Sequence, residues 1–465
     1  MYKNVSFFFI CFFLISCTRV DDFLHKGKSF FNLFQHEVKP IQNILVVSFC
    51  SVSSDFLPLF GEGVDEKEFP NFSRVLNSSF NFTNAYTNKT WSNTRRFIFK
   101  DQWQAIYGSN AAQAPIQEWS FGEDGQALFA RFPAKNDLTA EYNDYYNDDR
   151  LDIALKDFNK ITEEIKKRNK GANKKMWMIH LKIMHYPYLS ETYLNNTELL
   201  NKTFTKQELE LIKDYLANPE KYPEKKSFFQ AVFGREKFKN LFFNNQKQYI
   251  SYVTDVDFVS KWKKSKNADI DLSILRKSYQ LRLRDFDKII GYFLNFYATI
   301  EDNTAIVFTG DHGETLGKHD YLSHGAIPYD DVMRFFYSIH FPYQEQKGII
   351  KHQFSQSTTA KIIEDVALGK ITEKNFIVTL PPSNFDESVY SLSCSGDIIS
   401  IRVDNKWKLI YYVSQDRFEL FDLLKDPNEQ HDVSNEHFAF AQSLKFKLLD
   451  NVVLKKTYNT GECIR

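Results

Sequence analysis

The run Ala305-Ile306-Val307-Phe308-Thr309-Gly310 constrains this chain more than any other stretch. It is short, continuously apolar and rich in β-branched and aromatic residues, so it reads as a strand buried on both faces of a parallel sheet. Asp311-His312-Gly313-Glu314 follow it directly. A carboxylate and an imidazole therefore leave the carboxyl end of a buried strand, where open α/β sheets place their ligands. Adjacent Asp311 and His312 form a donor couple suited to one divalent metal ion, whether zinc, manganese or calcium. The alternative is an aspartate that caps a helix beside an ordinary loop histidine.

Other segments supply partners for that strand. Ile44-Leu45-Val46-Val47-Ser48-Phe49 is a second apolar run, and Met176-Trp177-Met178-Ile179-His180-Leu181 a third, ending before Met184-His185-Tyr186-Pro187-Tyr188. Helical spacing marks residues 150–170, through Leu151, Ile153, Ala154, Phe158, Ile161 and Ile165, as a surface helix. Residues 278–297 read as an amphipathic helix that feeds the 305–310 strand. Strands alternating with helices predict an α/β sheet. Residues 190–275 are rich in Lys, Asn and Phe, hold no recognisable chemistry and read as a helical insertion. Beyond about residue 390 short alternating strands take over at 398–403, 407–412 and 418–421, with turn signals at Asp404-Asn405 and Ser414-Gln415. They predict a small antiparallel sheet packed on the main domain.

At 465 residues the chain exceeds one ordinary core, so a large domain with a subdomain is expected. Lys plus Arg equals Asp plus Glu at 59 each, which argues against nucleic acid as a partner. No apolar run of about 18 residues suggests a spanning helix. The N-terminus is different in kind: Lys3 precedes an apolar stretch at 5–15 of signal-peptide length. It closes on Leu14-Ile15-Ser16-Cys17, which resembles the bacterial lipobox. That pattern implies cleavage before Cys17 and a diacylglycerol on its thiol, hence a membrane-tethered protein of the bacterial cell envelope, in the periplasm or at the outer membrane or cell surface. A plain secretory signal or an uncleaved anchor is the other reading. The expected organisation is a signal peptide at 1–16, a tether at 17–40, a main domain at 41–385 and a C-terminal antiparallel subdomain at 386–465. Once Cys11 and Cys17 are set aside, Cys50, Cys394 and Cys463 cannot all pair, so no disulfide framework is implied.

The D-H-G-E strand end at 311–314 resembles the signature of the sulfatase branch of the alkaline phosphatase superfamily. Further pieces follow in the family's order. Asn43 to Gly61 is similar to its opening strand and turn, and Phe69-Pro70-Asn71-Phe72 through Phe82-Thr83-Asn84-Ala85-Tyr86 to its next segment. His180-Leu181 with His185-Tyr186-Pro187-Tyr188 looks like its next strand end, and Tyr279 to Phe293 like its long helix. Ser323-His324-Gly325 with Tyr329-Asp330-Asp331 resembles its post-metal loop, and Glu419 to Glu429 its "ELYDL..DP.E" turn. The resemblance implies an alkaline-phosphatase-like fold: a mixed, mainly parallel sheet sandwiched by helices, with a small C-terminal antiparallel sheet.

It also implies site residues. Cys50 stands where relatives place an aspartate metal ligand, and a thiolate ligates zinc well but calcium or magnesium poorly. A small buried cysteine with no such role is the alternative. In Trp91-Ser92-Asn93-Thr94-Arg95-Arg96, Ser92 aligns with the family nucleophile and Arg96 with its trailing basic residue. A hydroxyl at a helix start gains from the dipole, and an anionic ester from its free N–H groups; a mere helix N-cap is the other reading of Ser92. Thr94 replaces the proline that conversion to formylglycine requires, which speaks against that modification. His185 and His324 match positions that hold the substrate's anionic oxygens or protonate the leaving group, and Arg95 and Arg96 suit a bidentate clamp. His180 reads as a core histidine. The function implied is a metal-dependent hydrolase or transferase acting on sulfate or phosphate esters of envelope or extracellular glycans or lipids through Ser92. The alternative is a degenerate sulfatase fold that binds an anionic ligand without turnover, because the first aspartate and the motif proline are both replaced.

Overall fold

Two-sided burial decides where each apolar run sits. The computed structural model describes residues 41, 43–90, 118–123, 126–128, 175–181, 183–234, 238, 262–367, 369–376 and 388–451, with parts of a helix between 158 and 169. Cys17, the 17–40 tether, Ser92, Arg95, Arg96 and Cys463 lie outside the described residues. Among those described, nine strands form one sheet. They are β1 (Asn43–Phe49), β2 (Phe80–Tyr86), β3 (Glu118–Glu123), β4 (Gln126–Leu128), β5 (Lys175–Leu181), β6 (Thr304–Gly310), β7 (Arg334–His340), β8 (Gly348–Ile350) and β9 (Phe354–Ser355). The order is β4-β3-β5-β1-β6-β7-β2-β8, with β9 also paired to β2. β3, β5, β1 and β6 run parallel, while β4 and β7 are antiparallel to their neighbours. The sheet is mixed and mainly parallel, as the sequence implies.

β1 and β6 are buried at every position. The strand period of two sends Leu45, Val47 and Phe49 to one face with Trp177, Ile179, Ile306 and Phe308. Ile44, Val46 and Val307 go to the other, with Phe82 and Tyr337. Helices cover both faces. On the first lie α1 (Pro70–Ser78), α2 (Lys206–Ala217), α3 (Lys226–Phe233) and α4 (Ala268–Tyr297); on the second, α5 (Gln356–Ala367) packs Ile362, Ile363 and Val366. The helix at 158–169 is more than a surface element, since Phe158, Ile161 and Ile165 join the first core.

α4 is 30 residues long, about 45 Å at helical rise. It begins ten residues before the apolar spacing at 278–297 suggests. The reason is a polar core: buried Asp271 pairs with Lys225 and accepts hydrogen bonds from the Tyr215 hydroxyl at 2.6 Å and Trp262 Nε1 at 3.0 Å. Those polar positions break the apolar period. The described part of the 190–275 segment is mostly helical, and Phe204, Ile212, Phe228 and Phe233 merge into the main core.

The second sheet is antiparallel in chain order, β10 (Val389–Leu392), β11 (Ile398–Val403), β12 (Trp407–Tyr412) and β13 (Arg417–Asp422). β10 adds a strand to the three expected; only four residues long, it is too short to show a period. α6 (Phe438–Asn451) packs Ala441, Leu444 and Leu448 against one face. The other face, with Ile410, Tyr412 and Phe421, meets Ile327 and Tyr329 from the main domain.

A buried charge cluster reinforces that junction. Lys408 Nζ lies 2.6 Å from Asp330 and 2.8 Å from Glu429, and Arg402 Nε lies 3.2 Å from Asp330. Burial pushes the Glu429 carboxyl up to about 8; the Asp330 charge adds to this and Lys408 opposes it. The folded protein thus holds this proton more tightly than the unfolded chain, whose ordinary value is 4.5. Its stabilisation is full below that value and is lost as pH rises toward the folded one. Urea denaturation should therefore show stability falling over that window, with a slope of at most ~1.4 kcal/mol per pH unit from this group. Glu429→Gln should flatten the slope, and an unchanged slope in the variant would assign the effect elsewhere.

Candidate active site

Register brings the site residues to one level. Phe49 pairs with Leu181 on one side and Gly310 on the other, so β5, β1 and β6 end together. The ladder continues one step further: Cys50 N–H donates to Leu181 O at 2.8 Å, and Asp311 N–H to Phe49 O at 3.1 Å. Beyond it the chain turns sharply, with Ser51 at φ 63°. The Tyr279 hydroxyl, from α4, clamps this turn by donating to Ser51 O at 2.8 Å and accepting from Ser53 N–H at 2.7 Å. Burial pushes that hydroxyl well above its ordinary value, so it keeps its proton and remains a donor.

Asp311 does not cap a helix. Its Oδ1 accepts from its neighbour His312 N–H at 2.7 Å and from Ser51 N–H at 3.3 Å, across the strand junction. His312 Nδ1 lies 2.9 Å from Gly313 O. A carbonyl only accepts, so Nδ1 carries the proton, and in the neutral ring Nε2 offers a lone pair. That nitrogen lies 3.6 Å from Cys50 Sγ. Ligand atoms of Cys50, Asp311 and His312, all buried, lie within 4.8 Å of one another. One sulfur, one imidazole nitrogen and one carboxylate oxygen fit a borderline cation of the zinc kind. Calcium, which takes about six to eight oxygens, is poorly matched.

Three further groups edge this set. Glu314 is buried, and its Oε1 lies 2.8 Å from His324 Nδ1. Burial opposes its ionisation, but His324 and then His312 and Ser51 outweigh it and hold the carboxyl below its usual value. The His324 ring centroid lies 4.1 Å from that of His312 and 5.2 Å from that of His185. So His185, His324, Asp311, His312 and Cys50 lie close together. Glu314 carried no assigned role in the motif. Its spacing of two from His312, which in extended backbone puts two side chains on one side, was the available signal.

A second cluster flanks the first. Lys318 Nζ bridges Asp55 at 2.8 Å and Asp331 at 2.6 Å, and His319 Nε2 lies 3.2 Å from Asp331. Burial opposes ionisation of Asp331 too, yet His319 and Lys318 bring its carboxyl down to about 2. No pattern in the sequence singles out Lys318 or His319. Thr90, two residues before Ser92, donates its hydroxyl to Gly325 O at 2.8 Å, directly beyond His324. Cys394 N–H donates to the same carbonyl at 2.9 Å. Cys394 is disulfide-bonded and Cys50 is a thiol outside any disulfide, which resolves part of the odd cysteine count. Ser92, Arg95, Arg96 and the His180 side chain lie outside the described residues.

Comparison with known proteins bears on the family and the fold. The sulfatase family model covers residues 98–367, which hold His185, Asp311, His312 and His324 but not Cys50 or Ser92. The uncharacterized sulfatase YidJ of Escherichia coli (strain K12) is 28% identical over 169 residues, 34% of this chain and 34% of that protein, so the match spans about a third of each. Among solved structures, the phosphonate monoester hydrolase SpPMH from Silicibacter pomeroyi is similar with TM-score 0.57 at 15% identity, covering 88% of this chain and 94% of that one. BT4656, solved in complex with its substrate D-glucosamine-2-N,6-O-disulfate, has TM-score 0.53 at 16% identity, covering 90% and 100%. At such identities these two speak for the fold.

Gly313 is where the loop admits no side chain. Its N–H donates to Val332 O at 2.8 Å, and a Cβ would stand 2.1 Å from Asp331 O and 3.3 Å from Ser53 Cα. Gly313→Ala must push the 311–314 loop off the Asp331 segment. The expected cost is ~1–3 kcal/mol, read by chemical denaturation. Wild-type stability in this variant would show that the close approach is absent in solution.

Proposed function

The chain belongs to the sulfatase family, and from that premise we propose that it hydrolyses sulfate or phosphate-type esters of envelope or extracellular glycans or lipid head groups, with Ser92 as nucleophile. The observation that carries the reading is the convergence of Cys50, Asp311 and His312, ligand atoms within 4.8 Å, at the level ends of adjacent parallel strands.

In this mechanism Asp311, His312 and Cys50 would hold one divalent metal ion, of the zinc kind by their donor chemistry. Such an ion, when bound, lowers the pKa of a nearby hydroxyl and polarises the ester oxygen. Arg96 and His324 neutralise the non-bridging oxygens as the Ser92 oxygen attacks sulfur or phosphorus. His185 delivers a proton to the departing alcohol oxygen. Water then attacks the same sulfur or phosphorus and passes a proton to His185, and the bond to the Ser92 oxygen breaks, releasing the sulfate, phosphate or phosphonate anion. The relatives' sulfated-sugar and phosphonate-ester chemistry supports this substrate class. Export and a lipid anchor on Cys17 complete the proposal; a disulfide at Cys394 supports an oxidising compartment.

The second reading, a fold kept for binding anionic ligands, is favoured by one observation: a thiol stands at Cys50, where relatives place a carboxylate. Elemental analysis of the purified protein, with Asp311→Ala as control, separates the two. About one zinc per chain, lost in the variant, is expected, together with hydrolysis of an aryl phosphonate or sulfate ester that Ser92→Ala abolishes while retaining metal. No metal uptake after incubation with zinc, manganese and calcium would leave the binding reading standing.

A further inference from the structure

We propose that Glu314 is a positioning residue that orients the His324 imidazole toward the ester's anionic oxygens. The geometric half of this inference stands alone; its catalytic half rests on the hydrolase reading above.

The argument begins with cost. A carboxylate 1% exposed is costly in a protein interior without a charged partner, and among the described residues Oε2 of this one has no hydrogen-bond partner, so Oε1 carries the pairing. Its ion pair is with His324, at 2.8 Å between Oε1 and Nδ1. Glu314 lies wholly below the surface, whereas the His324 side chain retains 13% exposure. The pair thus reaches from the buried floor of the site to its open edge. Because a carboxylate only accepts, Nδ1 is the donor to Glu314, and in the imidazolium form that makes this an ion pair Nε2–H is the second donor, left for the cleft. The Ser323 hydroxyl, 3.2 Å from the same Nδ1, adds a second restraint on ring rotation.

Neighbouring rings set where Nε2 can act. His324 lies tilted against His312, centroids 4.1 Å apart and planes 38° apart, and His185 meets it edge-on at 77°. His324 is therefore held between the group that faces Cys50 and the group proposed to serve the leaving alcohol. An imidazole on a loop has free rotation about two bonds, and the buried carboxylate removes it. This is the logic by which a buried aspartate fixes the histidine of a catalytic triad. Here a glutamate two residues past His312 does so in a loop closed back by Thr315, whose hydroxyl donates to Tyr321 O at 2.6 Å and Ser323 O at 3.0 Å.

The test uses the full mature chain with selectively 15N-labelled histidine, ring signals of His324 being assigned by their loss in His324→Asn. Wild type should show a downfield Nδ1 proton of a carboxylate-bonded imidazole. It should vanish in Glu314→Ala and move upfield in the isosteric Glu314→Gln, which guards against a variant that fails to fold. Glu314→Gln should also lower kcat/KM for an aryl phosphonate ester about 10- to 100-fold with metal content unchanged. An Nδ1 signal indifferent to both variants would overturn the proposal. So would loss of metal in Glu314→Gln, since Glu314 would then serve the ion rather than His324. A responsive signal in a protein with no hydrolysis of any ester would uphold the pairing and sink the hydrolase reading instead.

Discussion

The site exists because three parallel strands stop at the same level. Phe49 sits between Leu181 and Gly310, and the two backbone bonds made by Cys50 and Asp311 carry the ladder one residue past it. A slip of one residue in β1 would reverse its faces, burying Ser48 where Phe49 now packs and taking Cys50 away from His312. Complete burial of β1 on both faces forbids that slip. Packing energy spent on the core is thus what holds the donor atoms together.

Electrostatics then organises the loops that leave the sheet. Asp311 takes two backbone donors, Glu314 takes His324, and Asp331 takes Lys318 and His319. Asp330, one residue along, takes Lys408 and Arg402 from the second sheet. Neighbouring carboxylates in one short helical turn therefore face opposite ways, one toward the site and one toward the C-terminal sheet. The small sheet contributes to the site indirectly: it fixes the segment from which Asp331 reaches Lys318, and Cys394 meets the Gly325 carbonyl beside His324.

Much of this was readable in the chain. Continuous apolar runs marked β1, β5 and β6 to within a residue, because strands buried on both faces need no partner information to declare themselves. The histidines and Asp311 were legible through their motifs. What escaped depended on distant partners or on segments too short to show a period. The first turns of α4 were hidden by Asp271, whose partner Lys225 lies 46 residues away. Lys318 was hidden because its meaning depends on Asp55, 263 residues distant. β10 was hidden because four residues show no period.

The sequence by itself determined what is local: the periods that make strands and helices, the adjacency of Asp311 and His312, and the glycine that lets their loop pass the Asp331 backbone. Tertiary structure decided which side chains meet. Cys50 reaches His312 across 262 residues, and a motif glutamate without an evident task finds His324 ten residues on. Those meetings follow from strand register and loop closure, which are set by the packing of the whole core and are written in no short segment of the chain.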